Sequence, residues 1–465
     1  MLKKYSFILF VISFILFSTI NSNPSNDFEN TEIIRNIDLN DNIIKTRTTI
    51  KLTNKKNSPL NSYTYISPKN ISKYLIHFEV NSYEKAISFK LDENKDENYI
   101  YYTLNFASLN SLESLSLEIK EDYFDLIKFF PQKILLKQSQ YMLFENSMNT
   151  ISIYPTKSQT TLINLPKTMS NLLSYTTNEN YNYHRSGNQL KYSLKNINPF
   201  EYIPIQIHYE NNKPFVVFNY ANKTLQISHW GNIAIEEQFQ IENIGAKLNG
   251  EFGRIDYDEY SRTGGKNALT EFSAKLPLRA WGLWYRDEIG NISTSIAKRE
   301  WNDVDLYLKP RFPILGGWKT NFGIGYNLPS KFHITTDGNG NYMLNLTFGT
   351  PFNDFLAKNY TLEIDLPEGA YDIKLNLPIK GKYNVENKIV KGCLDLNGRN
   401  AIVVKLENVY DIHKVYFQVI YKYNESNLYK KPIIVICYFF VIFLSLIVYM
   451  RADLSLNKTV KEKVD

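Results

Sequence analysis

Cysteine is almost missing from this sequence, which has only Cys393 and Cys437 in 465 residues. Cys437 lies inside a long apolar segment near the C-terminus, and Cys393 lies before that segment. We therefore expect Cys437 in the membrane and Cys393 in the aqueous lumen, with no disulfide between them. The region between the two ends of the chain must then be stabilised by core packing, unlike small disulfide-stapled secreted modules. Large β domains meet that requirement.

Recognisable catalytic and cofactor signatures are also missing. No H-x-H, H-E-x-x-H, G-x-S-x-G or G-x-x-x-x-G-K-S/T pattern occurs, so zinc, hydrolase and phosphate-loop chemistry have no sequence support. A net charge of +6 without a Lys/Arg block gives no reason to expect nucleic acid as a partner. We therefore expect no catalytic residue, no cofactor and no metal ligand.

Two short acidic patterns need separate treatment. Asp256-Tyr257-Asp258 and Asp303-Val304-Asp305 have the D-x-D spacing with which many glycosyltransferases hold a divalent ion. The pattern is very short in a chain with 47 acidic residues, and no nucleotide-binding βα unit surrounds either copy. A solvated or loop-capping role is the favoured interpretation of both.

The two ends of the chain predict its compartment. Lys3 and Lys4 precede an apolar run and then small and polar residues, which is the layout of a secretory signal peptide over residues 1–22, with cleavage between Ser22 and Asn23. The 18 residues 433–450 carry no charge and are long enough to span a bilayer. We expect a transmembrane helix over 432–450, a cytosolic tail over 451–465, and type I topology.

Between these ends, alternating apolar and polar residues predict a mainly β fold. We expect two antiparallel β-sandwich-like lumenal domains, 23–215 and 216–431, with a boundary near 211–222 and no internal repeat. Short helices are predicted within 113–130 and 267–276, each ended by proline. The predicted strands are 44–52, 99–106, 140–144, 215–220, 233–241, 342–348, 360–366, 401–406 and 415–423.

Sequons are the motif with a chemical mechanism attached. Asparagine in N-x-S/T is a candidate for N-glycosylation where it is exposed on the lumenal side. Asn457 also matches but falls in the predicted cytosolic tail. The six lumenal candidates are Asn70, Asn222, Asn291, Asn345, Asn359 and Asn424.

Three sequence segments, called words below, stand out in the second half of the chain: SHWGNIAIEE at 228–237, WYRDEIGNIST at 284–294 and PRFPILGGWKT at 310–320. We interpret their polar and glycine residues as structural or as interface anchors: a hydrogen-bonding histidine, a local ion pair with a turn at Gly290, and a tight glycine corner covered by an indole. The residues concerned are His229, Trp230, Arg286, Asp287, Glu288, Gly316, Gly317 and Trp318.

In this order the three words resemble the ribophorin I family, the large single-span subunits of the oligosaccharyltransferase. The resemblance extends over about 215–456 and includes GYNLPS at 325–330. It implies a non-catalytic accessory subunit of the endoplasmic-reticulum membrane complex that transfers a dolichyl-diphosphate-linked oligosaccharide to Asn of N-x-S/T. The implied partners are a multi-span catalytic subunit, other subunits of the complex, nascent acceptor chains and membrane lipid.

Two other classes fit the same general layout. A single-span lumenal or cell-surface receptor would share the signal peptide, the β domains and the anchor. A membrane-anchored glycosidase would need two carboxylates about 5 to 10 Å apart in a cleft.

Overall fold

The computed structural model describes residues 25–82, 84–92, 96–177, 181–262, 267–338, 340–379, 381–392 and 394–452. The predicted signal peptide with Ser22 and Asn23, Cys393, and the tail from 453 onward lie outside the described residues. The described chain is mainly β, as predicted. It divides into two compact units: residues 25–213 with 248–262, and residues 214–247 with 267–452. The segment 248–262 thus interrupts the stretch that the sequence suggested as one domain.

The first unit packs a seven-stranded sheet, in the order β13-β14-β11-β1-β2-β7-β4, with smaller sheets β3-β6-β5 and β12-β15-β10-β8. Inward side chains of β1, β2 and β7 meet those of β3 and β6 in an apolar core. Its elements are β1 Phe28–Asp38, β2 Ile43–Asn54, β3 Leu60–Pro68, α1 Lys69–Ser72, β4 Leu75–Asn81, β5 Ser88–Asp92, β6 Tyr99–Leu109, β7 Ser114–Phe124, β8 Lys128–Phe129, β9 Lys133–Ile134, β10 Tyr141–Ser147, β11 Thr156–Asn164, β12 Met169–Tyr175, β13 Asn182–Ser186, β14 Gln189–Ile197 and β15 Pro204–Asn211.

The second unit repeats this plan. Its sheets run β20-β23-β17-β16-β26-β29-β28, β19-β22-β21 and β24-β25-β30-β27, around one large core. The strands are β16 Val216–Ser228, β17 Asn232–Asn243, β18 Lys247–Leu248, β19 Phe272–Pro277, β20 Trp281–Asp287, β21 Ile296–Arg299, β22 Asp303–Leu308, β23 Lys319–Pro329, β24 Ile334–Thr336, β25 Asn341–Thr347, β26 Leu356–Asp365, β27 Tyr371–Asn376, β28 Asn384–Val390, β29 Arg399–Val409 and β30 Tyr416–Lys422. Helix α2, Arg254–Arg262, lies between β18 and β19 in the chain but belongs to the first unit. Helix α3, Lys430–Arg451, follows β30. Single 3-10 turns lie at Ser330–Phe332, Asp411–His413 and Glu425–Tyr429.

The two units are topological copies of one another. Strands β1 to β8 and β10 to β15 of the first match, in chain order, strands β16, β17 and β19 to β30 of the second, and all three sheets have the same strand order. In each copy the first strand pairs antiparallel with the second and parallel with a later one, β11 or β26. The expectation of no internal repeat was wrong, because the repeat preserves strand order and burial and not sequence.

Even the irregularities of the copies coincide. The pairing of β1 with β2 shifts between Asn30 and Glu32, and that of β16 with β17 shifts between Phe218 and Tyr220, in both cases after the third pair. This shared bulge fixes the residue correspondence between the two copies. Lys223 then corresponds to Arg35; both are buried cations on the first strand.

The predicted strands all occur, with ends that differ by up to four residues, except that the strand predicted over 215–220 continues to Ser228. The two predicted helices were wrong. Residues 114–124 form β7, since Leu115, Leu117 and Ile119 alternate into the core, and 272–277 form β19. A short helix occurs instead at α2.

Candidate functional site

Parts of the segments 228–237 and 284–294 lie in strands β17 and β20 of the seven-stranded sheet of the second unit, beside strand β23. Phe322, Ile324 and Tyr326 of β23 point into the core, so Gly323 and Gly325 face outward. We use the term outer face for this side of strands β20, β23, β17, β16 and β26.

Trp284 of β20 lies on the two outward glycines. A Cβ atom on Gly325 would collide with the indole, and one on Gly323 would come within 3.3 Å of it. The guanidinium of Arg286 lies over the indole, 3.8 Å from the ring centroid, which is a cation–π arrangement. The glycines therefore serve as a flat floor that lets a tryptophan and an arginine stack on the sheet.

Two troughs flank the indole. One, of about 290 Å³, is lined by Tyr220, Glu236, Gln238 and Asn321 together with Arg286. The other, of about 100 Å³, is lined by Thr224, Gln226 and Asn327 among others. The side chains around the indole thus include both hydrogen-bond donors and hydrogen-bond acceptors.

Asp287 links the segment 284–294 to the segment 310–320 through an ion pair. Its carboxylate accepts hydrogen bonds from Nε and Nη2 of Arg311 at 2.6 and 2.9 Å, and from the backbone N–H groups of Ile289 and Gly290 at 3.0 Å. The Arg311 donors in particular lower the pKa of Asp287 to about 2. The ion pair expected within 286–288 therefore forms with another cation, Arg311, 24 residues further along the chain. Gly290 does occupy the turn position with positive φ, at +144°.

Glu288 and the glycine corner have structural contacts. Glu288 accepts a hydrogen bond of 2.6 Å from the amide of Asn321. Gly316 is buried, and a Cβ there would collide with the carbonyl oxygen of Ala246. Gly317 has φ +82°, and the half-buried Trp318 that follows packs against the core. This corner requires glycine for steric reasons.

His229 lies in an aromatic cage at the turn between β16 and β17. Its ring stacks on Tyr423 at 4.3 Å and meets the edge of Tyr342 at 4.4 Å, and the hydroxyl of Tyr421 lies 3.2 Å from Nε2. Burial lowers the pKa of His229, which favours the neutral imidazole. The neighbouring Trp230 is 67% exposed and is free of such packing.

A buried ion pair was missed by sequence reasoning. Lys223 Nζ lies 3.2 Å from Glu237 Oε1, and the side chains are 9% and 1% exposed. Tyr326 donates a 3.1 Å hydrogen bond to the same carboxylate, and Lys223 also donates to the carbonyl of Gly349. Burial raises the pKa of Glu237, against the effect of Lys223. The signal was available: Lys223 occupies an inward position between Ala221 and Leu225.

The D-x-D patterns lie on different elements and face different neighbours. Asp256 and Asp258 are both on α2, where residues two apart do not face each other. Asp305 of β22 stands opposite Lys275 and Lys298 of the two adjacent strands. In the described residues no group of three His, Cys, Asp or Glu side chains is placed to hold a metal ion.

The sequons are spread over both units. Asn345 is half-buried on β25, and Asn424 caps the 3-10 turn before α3 by accepting a 3.1 Å bond from the N–H of Ser426. The exposed asparagines are Asn70 on α1, Asn222 on β16, Asn291 after the Gly290 turn, Asn359 on β26 and Asn424. Asn222 and Asn359 both face outward on neighbouring strands of the outer face.

Helix α3 is long and apolar enough to cross a membrane, with a mean hydropathy of 2.9 in its most apolar window and no burial in that window. At its first turn, Lys431 pairs with Asp395 at 2.6 Å, and Asp395 also pairs with Arg399 of β29 at 2.8 Å. The first turn of the helix is thereby tied to the second unit.

Comparisons with known proteins cover nearly the whole chain. The family model for Ribophorin I matches residues 28–450. The dolichyl-diphosphooligosaccharide–protein glycosyltransferase subunit 1B of Arabidopsis thaliana is 32% identical over 462 residues, 97% of this chain and 98% of that protein. Subunit 1A of the same plant is 32% identical over 92% of this chain and 71% of its own length. Subunit 1 of Caenorhabditis elegans is 36% identical over 70% of this chain and 55% of its own length. The chain belongs to the ribophorin I family.

Proposed function

We propose that this chain is an accessory, non-catalytic subunit of the oligosaccharyltransferase in the endoplasmic-reticulum membrane, with a single type I span and its two β units in the lumen. The family match over residues 28–450 carries this proposal. A relative that is matched over 98% of its own length is named as subunit 1B of that enzyme. The expected partners are the multi-span catalytic subunit and the other subunits of the complex.

The contacts of the candidate residues support a structural role. Asp287 is saturated by Arg311 and two backbone N–H groups, and His229 is enclosed by tyrosines. A general acid or base needs a group free to exchange a proton with a substrate. In this proposal the β units hold nascent acceptor chains near the catalytic subunit, and the Lys431–Asp395–Arg399 link braces the span against the second unit.

Co-purification tests the assignment directly. The full-length chain, isolated from its own membranes in mild detergent, should carry multi-span partners that are identified by mass spectrometry. In sealed microsomes, added protease should remove only the tail after 452. Isolation of the chain alone from the plasma membrane would favour the receptor class instead.

A substitution tests the non-catalytic role. Replacing Asp256 and Asp258 together by Asn should leave most transferase activity in the assembled complex, because exposed carboxylates usually change stability by only about 0.5 kcal/mol. Deleting the whole subunit should reduce occupancy at a subset of acceptor sites or destabilise the complex. Loss of activity in the double variant with an intact complex would contradict the proposal.

A further inference from the structure

The outer face of the second unit differs from its counterpart in the first unit in one coherent way. By the bulge correspondence, Gly325 matches Lys120 and Trp284 matches Glu79. In the first unit these positions hold a surface ion pair, with Lys120 Nζ 3.7 Å from Glu79. The same sheet is therefore built without a glycine floor or a tryptophan, and folding alone does not account for them.

Asn222 belongs to the same set of differences. It matches Ile34 of the first unit, and both are exposed on the first strand of the sheet. Along the hydrogen-bonding direction Asn222 stands opposite Gln238, Gln238 opposite Gly323, and Gly323 opposite Arg286. Since neighbouring strands are about 4.8 Å apart, the Asn222 backbone lies roughly 10 Å from the floor under the indole.

We propose that the outer face is a saccharide-binding surface, and that its occupant is the N-glycan of Asn222 itself. In the modification, Nδ2 of Asn222 loses a proton and bonds to the anomeric carbon of the first sugar, while the lipid diphosphate leaves as the other product. The first two sugar rings then lie across Gln238 in the trough of about 290 Å³ and end against the Trp284–Arg286 stack.

The chemistry of the trough suits a neutral polyol. Arg286, Gln238 and the amide of Asn321 supply donors, and Glu236 supplies acceptors, which matches the mixed hydroxyl and acetamido groups of a sugar chain. The indole, which lies on the glycines and is partly exposed, offers an apolar surface for the C–H face of a ring. A free anion would meet Glu236 and Glu288 as well as Arg286, so a saccharide is favoured over a phosphate.

The position of the sequon also sets the order of events. Lys223, the middle residue of Asn222-Lys223-Thr224, is 7% exposed and paired with Glu237. In the folded protein β16 is paired with β17 on one side and with β26 on the other, so the sequon cannot enter an active site as a free chain. The glycan is added before β16 pairs with β17, and the sheet then forms beneath it.

Native deglycosylation tests the proposal on the full-length glycoprotein in mild detergent. A peptide N-glycosidase is applied to the folded protein, and the occupancy of Asn222 and Asn359 is followed by mass spectrometry. Asn359 is the matched control, because it faces outward on the adjacent strand β26, one strand further from Trp284. We expect Asn222 to be released about fivefold more slowly than Asn359, the factor that about 1 kcal/mol of contact corresponds to. After denaturation the two rates should be equal.

Two variants separate the contact from the fold. Trp284→Ala should abolish the protection of Asn222 and leave Asn359 unchanged. Since loss of the indole could loosen β20, Gln238→Ala is a second variant; its side chain is exposed and supports no core packing, and it should reduce the protection. An unmodified Asn222, equal native rates in the unaltered protein, or protection that survives in both variants would overturn the proposal. None of these outcomes depends on assembly into the transferase complex.

Discussion

The buried Lys223–Glu237 pair gives the sharpest stability prediction. Both side chains are nearly inaccessible, so removing one partner leaves a charge buried without compensation, which typically costs about 3 kcal/mol or more. Lys223→Met should therefore lower the midpoint of thermal unfolding of the second unit by about 10 °C, given about 2–4 °C per kcal/mol for a domain of this size. The substitution keeps the sequon at Asn222, so glycosylation is not a confounding change.

The double variant Lys223→Met/Glu237→Gln should recover most of the loss. The glutamine carbonyl still accepts the hydrogen bond from Tyr326, and Gly349 keeps its hydrogen bond from Tyr360, so neither of these groups is left without a partner and no buried charge remains. We expect it to lie within about 1 kcal/mol of the unaltered protein.

The pH dependence follows from the sign of the shift at Glu237. Burial raises its pKa above the ordinary value, so the folded state binds a proton more readily than the unfolded state, and the deficit of Lys223→Met should shrink as the pH falls from about 7.5 to about 5.5. Lys405→Met is the surface control: its pair with Glu386 is 2.8 Å long but half-exposed on both sides, and should matter by less than about 1 kcal/mol. Hydrogen exchange of β16 and β17 provides the local readout. Equal effects of the two lysine substitutions would refute the reasoning.

Three further predictions concern the turn, the corner and the cysteines. Asp287→Ala should speed amide exchange of the 287–292 turn about tenfold; because the pKa of Asp287 is lowered, its contribution is present above the ordinary value and is lost as the pH falls toward 2. Gly316→Ala should destabilise the second unit by about 3 kcal/mol in thermal unfolding, since the new methyl group meets the Ala246 carbonyl and the backbone cannot yield cheaply. Reducing agent should leave the electrophoretic mobility of the monomer unchanged, because Cys437 lies in the apolar helix as a free thiol; a reducible crosslink in mass spectrometry would contradict this.

Strands were predictable because half-buried strands alternate strictly. In β2 every second residue from Ile44 to Leu52 points inward, and the pattern alone locates the element. The helix predicted within 113–130 is wrong for the same reason: Leu115, Leu117 and Ile119 alternate into the core as in a strand, and Pro131 does not end a helix there. Here the side-chain period was more informative than the terminating residue.

Pairing between distant strands was not predictable. The words around Trp284 and Gly325 could be picked out as unusual, but nothing in either word states that the indole lies on the glycine. Likewise Asp287 had a cation beside it in the sequence, Arg286, and the structure pairs it with Arg311. Adjacent residues on a strand point to opposite faces, so a neighbour in sequence is a poor candidate for an ion pair there.

The tandem architecture separates what the fold needs from what it does not. Positions that keep their character in both copies serve the shared sheet: the buried cation at Arg35 and Lys223, and the buried asparagine that ends the second strand, Asn54 or Asn243. Each of these asparagines donates from Nδ2 to two backbone carbonyls of its own unit, so its role is the same twice over.

Several positions that change between the copies fall on the outer face, where the sheet tolerates a wide range of polar residues. The ion pair between Lys120 and Glu79 is ordinary for a solvent-exposed sheet face. Gly325, by contrast, has a low strand propensity, and Trp284 leaves part of an apolar ring in solvent. A change that is unfavourable for the strand and brings no core packing needs a reason outside folding. In the saccharide proposal the glycan of Asn222, which is in register with Gly323 two strands away, supplies one, since the sugar chain covers the partly exposed indole.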